Sequence, residues 1–324
     1  MAVCISIVLL EAYLRIQNNF PLQEQESHWL KQEISDRFRQ AGDIMLGYEY
    51  IPNKKYTTWS KVYDTSNSFG FMDIERKITR NKNTYRICIV GDSITVDGRY
   101  VKYLEDLMND ADPGYEVWNC GVSAYNVVQY YANIKNKIVN YDPDMIIIGF
   151  CLNDFMNTPL IHKKNDGKFY VYDNDLNSLD QAINIRYFIK YRIYRFWVLY
   201  ISKFLTKETS ISDYNDMDIG SWALSRIADI CRQKDIELFA VVIPYFKSEY
   251  SKSEKRLYEN MKHVLSINNL NYLDLHGKFS DPGQPKWRRE KNDFIHPSDE
   301  GHRIIGESLF DYLKEHTAEY EKSR

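Results

Sequence analysis

The sequence predicts an α/β fold, a three-layer α/β/α sandwich around a sheet of five parallel strands. From Tyr85 onward, short apolar runs alternate with amphipathic segments, which is the pattern of repeated βα units. The apolar run Met145–Ile148 does not alternate with polar residues, as expected of a central strand that is buried on both faces. Residues 85–316 would form this domain, a length that one hydrophobic core can serve.

Each predicted strand is a short apolar run, and the five runs are Ile87–Val90, Tyr115–Cys120, Met145–Phe150, Leu238–Val242 and Leu270–Leu275. Apolar residues recur at helical spacing in three places: after the first strand, after the second strand and at the end of the domain. This spacing predicts three helices. The residues with this spacing are Val101, Leu104, Leu107 and Met108, then Val127, Tyr131, Ile134 and Ile138, and finally Ile305, Leu309, Tyr312 and Leu313. The last helix would begin after Ser298, a common N-cap residue.

The predicted domain has additions at both ends: an apolar segment of residues 1–24, an extension of residues 25–84 and a polar tail of residues 317–324. Within them, residues 11–45 are polar and helix-prone. Residues 46–84 carry turn-forming Pro, Asn and Gly and predict irregular structure.

A helical insertion of residues 157–218 separates the third and fourth strands and is far longer than an ordinary βα connection. Within it, residues 179–205 predict a long helix that is rich in both aromatic and basic side chains. Three interpretations of this helix remain open: an ordinary packed insertion, a lid over a ligand site, or a helix that lies on a membrane surface.

The first ten residues are apolar and are followed at once by Glu11 and Arg15. This run is shorter than the ~20 residues of a membrane-spanning helix, and it lacks the basic flank and cleavage site of a secretory signal. We expect the end of a membrane anchor, with the following domain outside the cytoplasm and membrane contact through residues 1–10 and 179–205. The alternative is a hydrophobic helix docked on the body of a cytoplasmic protein.

The composition excludes several classes of partner. The 42 Lys and Arg residues nearly balance the 45 Asp and Glu residues, and no dense basic run could follow a phosphate backbone, so no nucleic-acid partner is expected. The five cysteines include no CxxC pair, which argues against a disulfide framework and a zinc site. We therefore expect no metal and no organic cofactor. The 26 tyrosines favour surfaces that pack against sugars or lipid headgroups.

A serine stands directly after the first predicted strand, in Gly91-Asp92-Ser93. Ligands bind at the carboxyl ends of the strands in parallel α/β sheets, so Ser93 would be displayed where a substrate lies. The turn also has a purely structural interpretation, because Asp and Ser are common helix-capping residues.

An acid and a histidine, Asp293 and His296, stand between the last strand and the last helix. Pro297 disfavours helical geometry at His296, so this segment should be a loop at the strand ends. The spacing lets the carboxylate fold back onto the imidazole, fix its tautomer and stabilise its protonated form. The alternative is a solvated surface loop. His302 competes for the role of base, but within the last helix we expect it to be structural.

If Ser93 accepts an acyl group, the resulting tetrahedral oxyanion needs hydrogen-bond donors. Gly121 follows the second predicted strand and offers a backbone N–H, and Asn153 follows the third and offers a side-chain amide. Each also suits an ordinary strand-ending turn. All four features at the ends of successive strands, in this order, are hard to obtain by accident.

These residues resemble the four ordered blocks of the SGNH (GDSL-type) hydrolase family, whose fold is flavodoxin-like. Gly91-Asp92-Ser93 matches the first block, Gly121 the second, Asn153-Asp154 the third and Asp293-x-x-His296 the fourth. The resemblance covers about residues 85–316. It implies a catalytic Ser93 nucleophile, His296 as general base and Asp293 as its partner. It also implies an oxyanion hole from the N–H groups of Ser93 and Gly121 and the side chain of Asn153.

The sequence departs from the family pattern at two positions. Cys151 stands where the family usually has glycine, two residues before the third-block asparagine, and the glycine after the first block is displaced to Gly98. These departures affect the expected shape of the pocket more than the mechanism. The segment Asn67–Phe71, together with the apolar start, is similar to the membrane-anchored bacterial branch of the family.

The resemblance implies a serine esterase that hydrolyses short acyl esters, acetyl foremost, on a carbohydrate or other small-molecule alcohol through an acyl-serine intermediate. The mean hydropathy of −0.51, and the lack of a long apolar segment near the four blocks, argue against a deep acyl tunnel. Two alternatives remain: an O-acyltransferase with the same site, and a catalytically silent carbohydrate- or lipid-binding module. A receiver domain phosphorylated on Asp92 would leave the Asp-x-x-His segment without a role.

Overall fold

The computed structural model describes residues 37–155, 160–163, 169–172 and 215–321, apart from short gaps at 42, 44–45, 47, 57–61, 82, 280 and 282. The apolar segment 1–24 and the predicted helix 179–205 lie outside the described residues. The chain divides into two compact units, residues 37–156 with 215–324 and residues 1–36 with 157–214. Of the second unit, only a short hairpin of residues 160–163 and 169–172 is described.

The described strands are, in chain order, β1 (Phe38–Gln40), β2 (Tyr48–Tyr50), β3 (Tyr85–Gly91), β4 (Tyr115–Asn119), β5 (Met145–Phe150), β6 (Leu160–Lys163), β7 (Phe169–Tyr172), β8 (Glu237–Val242) and β9 (Asn271–Asp274). Five of them form one sheet in the order β4-β3-β5-β8-β9. Every neighbouring pair in this sheet is parallel. These five strands are the ones that the apolar runs predict, so the predicted α/β fold class is confirmed.

The described helices are α1 (Ser93–Val96), α2 (Arg99–Ala111), α3 (Val127–Asn136), α4 (Asn215–Gln233), α5 (Lys252–Ile267) and α6 (Asp299–Glu321). Helix α6 packs on α2, and α4 packs on both α3 and α5. Because βαβ crossovers are right-handed, the step from β3 outward to β4 and back to β5 places α2 and α3 on opposite faces of the sheet. The two outer layers are therefore α2 with α6, and α3 with α4 and α5.

The strand order reverses at β3, the first strand of the sheet in the chain. Its neighbours are β4 on one side and β5 on the other. Ile89 on β3 and Ile147 on β5 are partners in the ladder and are fully buried, as the unbroken apolar runs require. In open α/β sheets, the ligand site lies at the carboxyl ends of the strands where the order reverses. The topology therefore places a site at the ends of β3, β4 and β5.

Two short strands occur where the sequence predicts none. β1 and β2 pair antiparallel, with Phe38 opposite Tyr50, although residues 11–45 predict a helix and residues 46–84 irregular structure. Both expectations are wrong for these strands. Three-residue strands are too short to show a two-residue period, and packing of aromatic rings decides the structure instead. The Phe38 ring lies 4.9 Å from the ring of Tyr48 and 4.5 Å from that of Tyr50.

The described part of the insertion is a hairpin. β6 and β7 pair antiparallel, with Leu160 opposite Tyr172. The expectation of a helical insertion is wrong for these residues. Their backbone N–H and C=O groups form hydrogen bonds between the two strands instead of the bonds within a single helix. Among the described residues, no helix is both long and apolar enough to span a membrane.

Candidate active site

Ser93 lies at the carboxyl end of β3 and is the first residue of α1. The Asp92 side chain caps this short helix, since its Oδ1 accepts the N–H of Ile94 at 2.9 Å. Gly91 keeps the turn tight, because a Cβ there would lie 1.9 Å from Thr95 Oγ1. The backbone therefore displays a half-buried Ser93 side chain at the edge of the sheet where the topology places a site.

His296 reaches Ser93 from the loop between β9 and α6. The distance between His296 Nε2 and Ser93 Oγ is 2.8 Å, a hydrogen bond between residues that are 203 positions apart. Two backbone hydrogen bonds brace the loop: Arg289 N–H donates to the His296 carbonyl oxygen at 3.0 Å, and Ser298 N–H donates to the Trp287 carbonyl oxygen at 2.8 Å. The structure thus brings together the serine and the histidine that the sequence singles out.

Asp293 lies behind the imidazole, as the three-residue spacing predicts. Its Oδ1 and Oδ2 lie 3.0 and 2.9 Å from His296 Nδ1. Oδ1 also accepts the backbone N–H groups of Ile295 and His296, at 3.2 and 3.0 Å, so the chain folds back onto its own carboxylate. The Arg289 guanidinium donates to Oδ2 at 2.7 Å. Hydrogen bonds from three sides therefore fix the carboxylate.

The charge state of Asp293 sets the tautomer of His296. Burial would raise the pKa of Asp293, but hydrogen bonds from the His296 ring and backbone, together with the positive charge of Arg289, lower it to about 2. An ionised carboxylate at neutral pH holds the imidazole proton on Nδ1. The lone pair of Nε2 then faces the Ser93 hydroxyl, which is the arrangement needed to remove its proton.

Asn153 lies in the short turn Leu152–Phe155 that follows β5. Its Nδ2 donates to Asp92 Oδ2 at 3.1 Å. The same Asp92 oxygen lies 3.4 Å from Ser93 Oγ. Asp92 therefore links the third predicted block to the first, a connection that the sequence does not reveal.

Gly121 lies in the loop after β4 and packs directly on the nucleophile segment. A Cβ on Gly121 would lie 2.8 Å from Thr95 Cβ, so only glycine allows this close approach. The next residue, Val122, donates its N–H to the Gly91 carbonyl oxygen at 3.0 Å. The Gly121 N–H itself donates to Asn119 Oδ1 at 3.1 Å. The loop lies where the sequence predicts, but this N–H is bonded to the last residue of β4.

A tight turn follows in the same loop. Tyr125 N–H donates to the Val122 carbonyl oxygen at 3.2 Å, which puts Ser123 and Ala124 at the two central positions of the turn. Ala124 has φ +59°, the left-handed conformation that the third residue of a type II turn requires. Sequence reasoning missed this turn, because a turn with positive φ normally carries glycine or asparagine at that position, and this one carries alanine.

Asp154 is a second carboxyl group near Asp92 and is fully buried. Its Oδ2 accepts the Cys151 N–H at 2.8 Å. Burial, with a smaller contribution from the Asp92 charge, raises the pKa of Asp154 well above its usual range. The hydrogen bond between this carboxyl group and the Cys151 N–H supports the turn that carries Asn153.

His302, the competing histidine, is buried in α6, and its Nε2 lies 3.4 Å from Asp97 Oδ1. Burial, assisted by the Arg99 guanidinium, lowers the pKa of His302 well below its usual range. Arg99 itself bonds Asp97 at 2.5 Å and Asp299 at 3.2 Å. His302 therefore lies beside the ion pairs of Arg99 that join α2 to α6, in keeping with a structural role.

The described part of the chain contains no group of His, Cys, Asp and Glu residues arranged to hold a metal ion. The four cysteines within it, Cys88, Cys120, Cys151 and Cys231, are buried and free.

A serine, a histidine and a carboxylate in series at the carboxyl edge of a parallel α/β sheet are the arrangement of a hydrolytic enzyme of the α/β class. Residues 89–304 match the model of the GDSL-like lipase/acylhydrolase family, and the chain belongs to this family. It is an ester-bond hydrolase. No curated protein matches the sequence.

Solved structures with a similar chain path include esterases and a lipase. An acetyl xylan esterase is 14% identical, with 70% of this chain and 99% of that chain covered and a TM-score of 0.44. An acetylxylan esterase from Geobacillus stearothermophilus is 16% identical, with 72% and 96% covered and a TM-score of 0.43. A GDSL-like lipase from Bacteroides thetaiotaomicron is 13% identical, with 71% and 88% covered and a TM-score of 0.42.

Proposed function

We propose that this hydrolase is a serine esterase in which Ser93 is the nucleophile, His296 the general base and Asp293 the residue that orients the base. The single observation that carries the proposal is the 2.8 Å contact between Ser93 Oγ and His296 Nε2. The ionised Asp293 on Nδ1 leaves Nε2 as the acceptor in that contact.

The proposed reaction has two steps. Ser93 Oγ attacks the carbonyl carbon of the ester while its proton moves to His296 Nε2. The tetrahedral intermediate then releases the alcohol, which takes the proton from His296 and leaves an acyl group on Ser93. A water molecule attacks the acyl carbon, again giving a proton to His296. Release of the carboxylic acid returns that proton to Ser93 Oγ.

The oxyanion of the tetrahedral intermediate needs donors on the side away from His296. Two predicted donors suit this role: the backbone N–H of Ser93 at the start of α1 and the Asn153 amide. The Asn153 amide carries two hydrogens, and the bond to Asp92 uses one of them. The Gly121 N–H is bonded to Asn119 Oδ1, so we propose that the loop contributes through the Ser123–Ala124 peptide instead.

We propose short acyl groups, acetyl foremost, on a carbohydrate alcohol as the substrate. The site lies at the open edge of the sheet, and the sequence has no long apolar segment beside the four blocks that could line a deep tunnel. Phe294, two residues before His296 in the chain, is 40% exposed, and the Arg288 guanidinium lies 4.6 Å from the centre of its ring. Partly exposed aromatic and cationic side chains near the base suit a polar alcohol better than a long acyl chain.

The substrate proposal is tested by assaying the purified chain on esters of increasing acyl length and on acetylated sugars, with and without an acceptor glycan. We expect acetylated sugars to give the highest kcat/KM. A preference for chains beyond about eight carbons would contradict the short-acyl assignment. Acyl transfer to the glycan that is faster than hydrolysis would identify an O-acyltransferase, and binding of sugar without turnover would identify a silent module.

The apolar start of the chain supports a separate proposal about location. We propose that residues 1–10 contact a membrane and that the hydrolase domain lies outside the cytoplasm. Cell fractionation tests this: the full chain should sediment with membranes, and a variant lacking residues 1–24 should not. Equal distribution of the two proteins would contradict the proposal.

A further inference from the structure

We propose that the N-terminal hairpin β1–β2 is part of the active site, and that Tyr48 and Tyr50 are positioning residues that hold the Ser123–Ala124 peptide beside the nucleophile. The hairpin precedes residues 89–304, the part of the chain that matches the family model. The proposal rests on the proposed esterase function and assigns two further residues to that site.

Two tyrosine hydroxyls of the hairpin reach the same residue of the turn. Tyr48 Oη donates to the Ser123 carbonyl oxygen at 2.6 Å. Tyr50 Oη and Ser123 Oγ form a hydrogen bond of 2.8 Å. The contact is reciprocal, since the Tyr125 hydroxyl donates to the Tyr48 carbonyl oxygen. The carbonyl oxygen and the hydroxyl group of Ser123 are therefore both hydrogen-bonded to tyrosine side chains of β2.

Burial makes these contacts firm. The exposed fraction is 1% for Tyr48 and 3% for Tyr50, and Phe38 packs on both rings. A buried hydroxyl group without a partner is costly, so each tyrosine strongly favours its bond to Ser123. Burial also raises the pKa of Tyr50 to about 12, so its hydroxyl keeps its proton at every physiological pH.

The Tyr48 contact decides which way the turn peptide points. The peptide between Ser123 and Ala124 is planar and trans, so its C=O and N–H groups point in opposite directions. With the Ser123 oxygen held at Tyr48, the Ala124 N–H must point away from the hairpin. Rotation of this peptide would change the φ of Ala124 and therefore the shape of the turn. Tyr48 opposes that rotation and helps to maintain φ +59° at Ala124, a conformation that is strained for a residue with a Cβ.

The turn is fastened to the nucleophile segment at its other end. Val122 N–H donates to the Gly91 carbonyl oxygen, two residues before Ser93. The Asp92 charge is one of the influences that raise the pKa of Tyr48, after burial and Tyr50, so the hairpin also lies within electrostatic reach of the nucleophile turn. A change in the hairpin is therefore expected to reach the reaction through the Ser123–Ala124 peptide.

The test uses variants of the full chain that remove only a hydroxyl group. Tyr48→Phe is expected to lower kcat by between about tenfold and a hundredfold with little change in KM, because it loosens a group that acts on the transition state. Tyr50→Phe and Ser123→Ala should each lower kcat, and the double variant should be no worse than either single one, since both remove the same bond. Tyr258→Phe is the matched control and should keep native kcat, because its hydroxyl donates to Asp274 on β9, at the opposite edge of the sheet from β4.

The second measurement is the rate at which a phosphonate ester labels Ser93, divided by the folded fraction, which separates a positioning role from a loss of stability. The labelling rate should fall in Tyr48→Phe in proportion to kcat. Equal labelling of the native protein and Tyr48→Phe would overturn the role of the hairpin while leaving the esterase assignment intact. No labelling of the native protein at Ser93 would overturn the esterase assignment itself, and the hairpin proposal with it.

Discussion

Arg289 and His296 share one carboxylate oxygen: Arg289 Nη2 donates to Asp293 Oδ2 at 2.7 Å, and His296 Nδ1 lies 2.9 Å from the same atom. Arg289 also donates its backbone N–H to the His296 carbonyl oxygen. Arg289 thus holds the Asp293 carboxylate through its side chain and the His296 backbone through its N–H, and a substitution at Arg289 removes only the first of these contacts.

Burial raises the pKa of Asp293, whereas His296 and Arg289 lower it, and the result is a pKa of about 2. Replacing Arg289 by Gln removes one of the lowering influences and should therefore raise this pKa. A lowered folded-state pKa stabilises the protein above the unfolded value of about 4, and this stabilisation is lost as the pH falls towards about 2. In Arg289→Gln this pH-dependent stabilisation is smaller than in the native protein. We expect its unfolding midpoint to be below the native one at pH 7, with the difference shrinking towards acid pH.

Thermal unfolding of the two proteins between pH 3 and 7 checks this expectation. Arg303→Gln is the matched control, because Arg303 pairs with Glu307 on the exposed face of α6. Such surface pairs contribute little, so the control should follow the native curve. A constant difference between Arg289→Gln and the native protein at every pH would contradict the link to Asp293.

The pH dependence of kcat/KM should show a single acid limb. Removal of the Ser93 proton needs a base in its unprotonated form, so the rate falls where the base takes up a proton. Asp293, whose pKa is about 2, stays ionised throughout the measured range and adds no second limb. Initial rates from pH 5 to 8 on a soluble acetyl ester test this, and a flat profile would argue against a histidine base.

Asn153→Ala should lower kcat by ~10²–10³ with little change in KM, because its amide acts mainly once charge develops on the oxygen. Asn140→Ala is the matched control, since Asn140 is exposed and bonds only the Asn136 carbonyl oxygen among the contacts that the structure describes for its side chain. Steady-state measurements of kcat and KM for both variants test this prediction. An increase in KM at unchanged kcat would mark Asn153 as an ordinary substrate contact.

Arg99→Met should destabilise the fold. Arg99 is largely buried and neutralises Asp97, which is 1% exposed. Removing one partner leaves a buried charge uncompensated, which costs about 3–5 kcal/mol. Urea unfolding measures the effect. Arg232→Met, at an arginine whose side chain is 74% exposed, should change the free energy of unfolding by less than about 0.5 kcal/mol. A similar small change in Arg99→Met would show that the cluster is not needed.

The sequence predicts the sheet well because its central strands contain continuous apolar runs, such as Ile87–Val90, Met145–Ile148 and Leu238–Val242. It also brings Ser93 and His296 together correctly, since both follow strands whose carboxyl ends meet at one edge. It fails for β2, where a three-residue strand owes its structure to contacts of Tyr48 and Tyr50 with a distant loop. Propensity in a short segment carries no information about such contacts.

The finer geometry of the site also depends on contacts between distant residues. The Asn153 amide is held by Asp92, 61 positions away, and no local pattern predicts that pairing. The sequence predicts a role for the Gly121 N–H, yet in the structure that N–H donates to Asn119 Oδ1, and the absence of a Cβ allows close packing on Thr95. The residue type at Gly121 predicts a close approach of the backbone, whereas the partner of its N–H depends on the three-dimensional arrangement of the loop.

The most direct test of the account is esterase activity in Ser93→Ala, measured beside the native protein with circular dichroism of both. Loss of a nucleophile can cost ~10⁴–10⁶ in rate, so we expect activity near background in a variant with the native spectrum. A phosphonate ester should label the native protein at Ser93 alone. Retained activity in folded Ser93→Ala would contradict the assignment of Ser93 as the nucleophile.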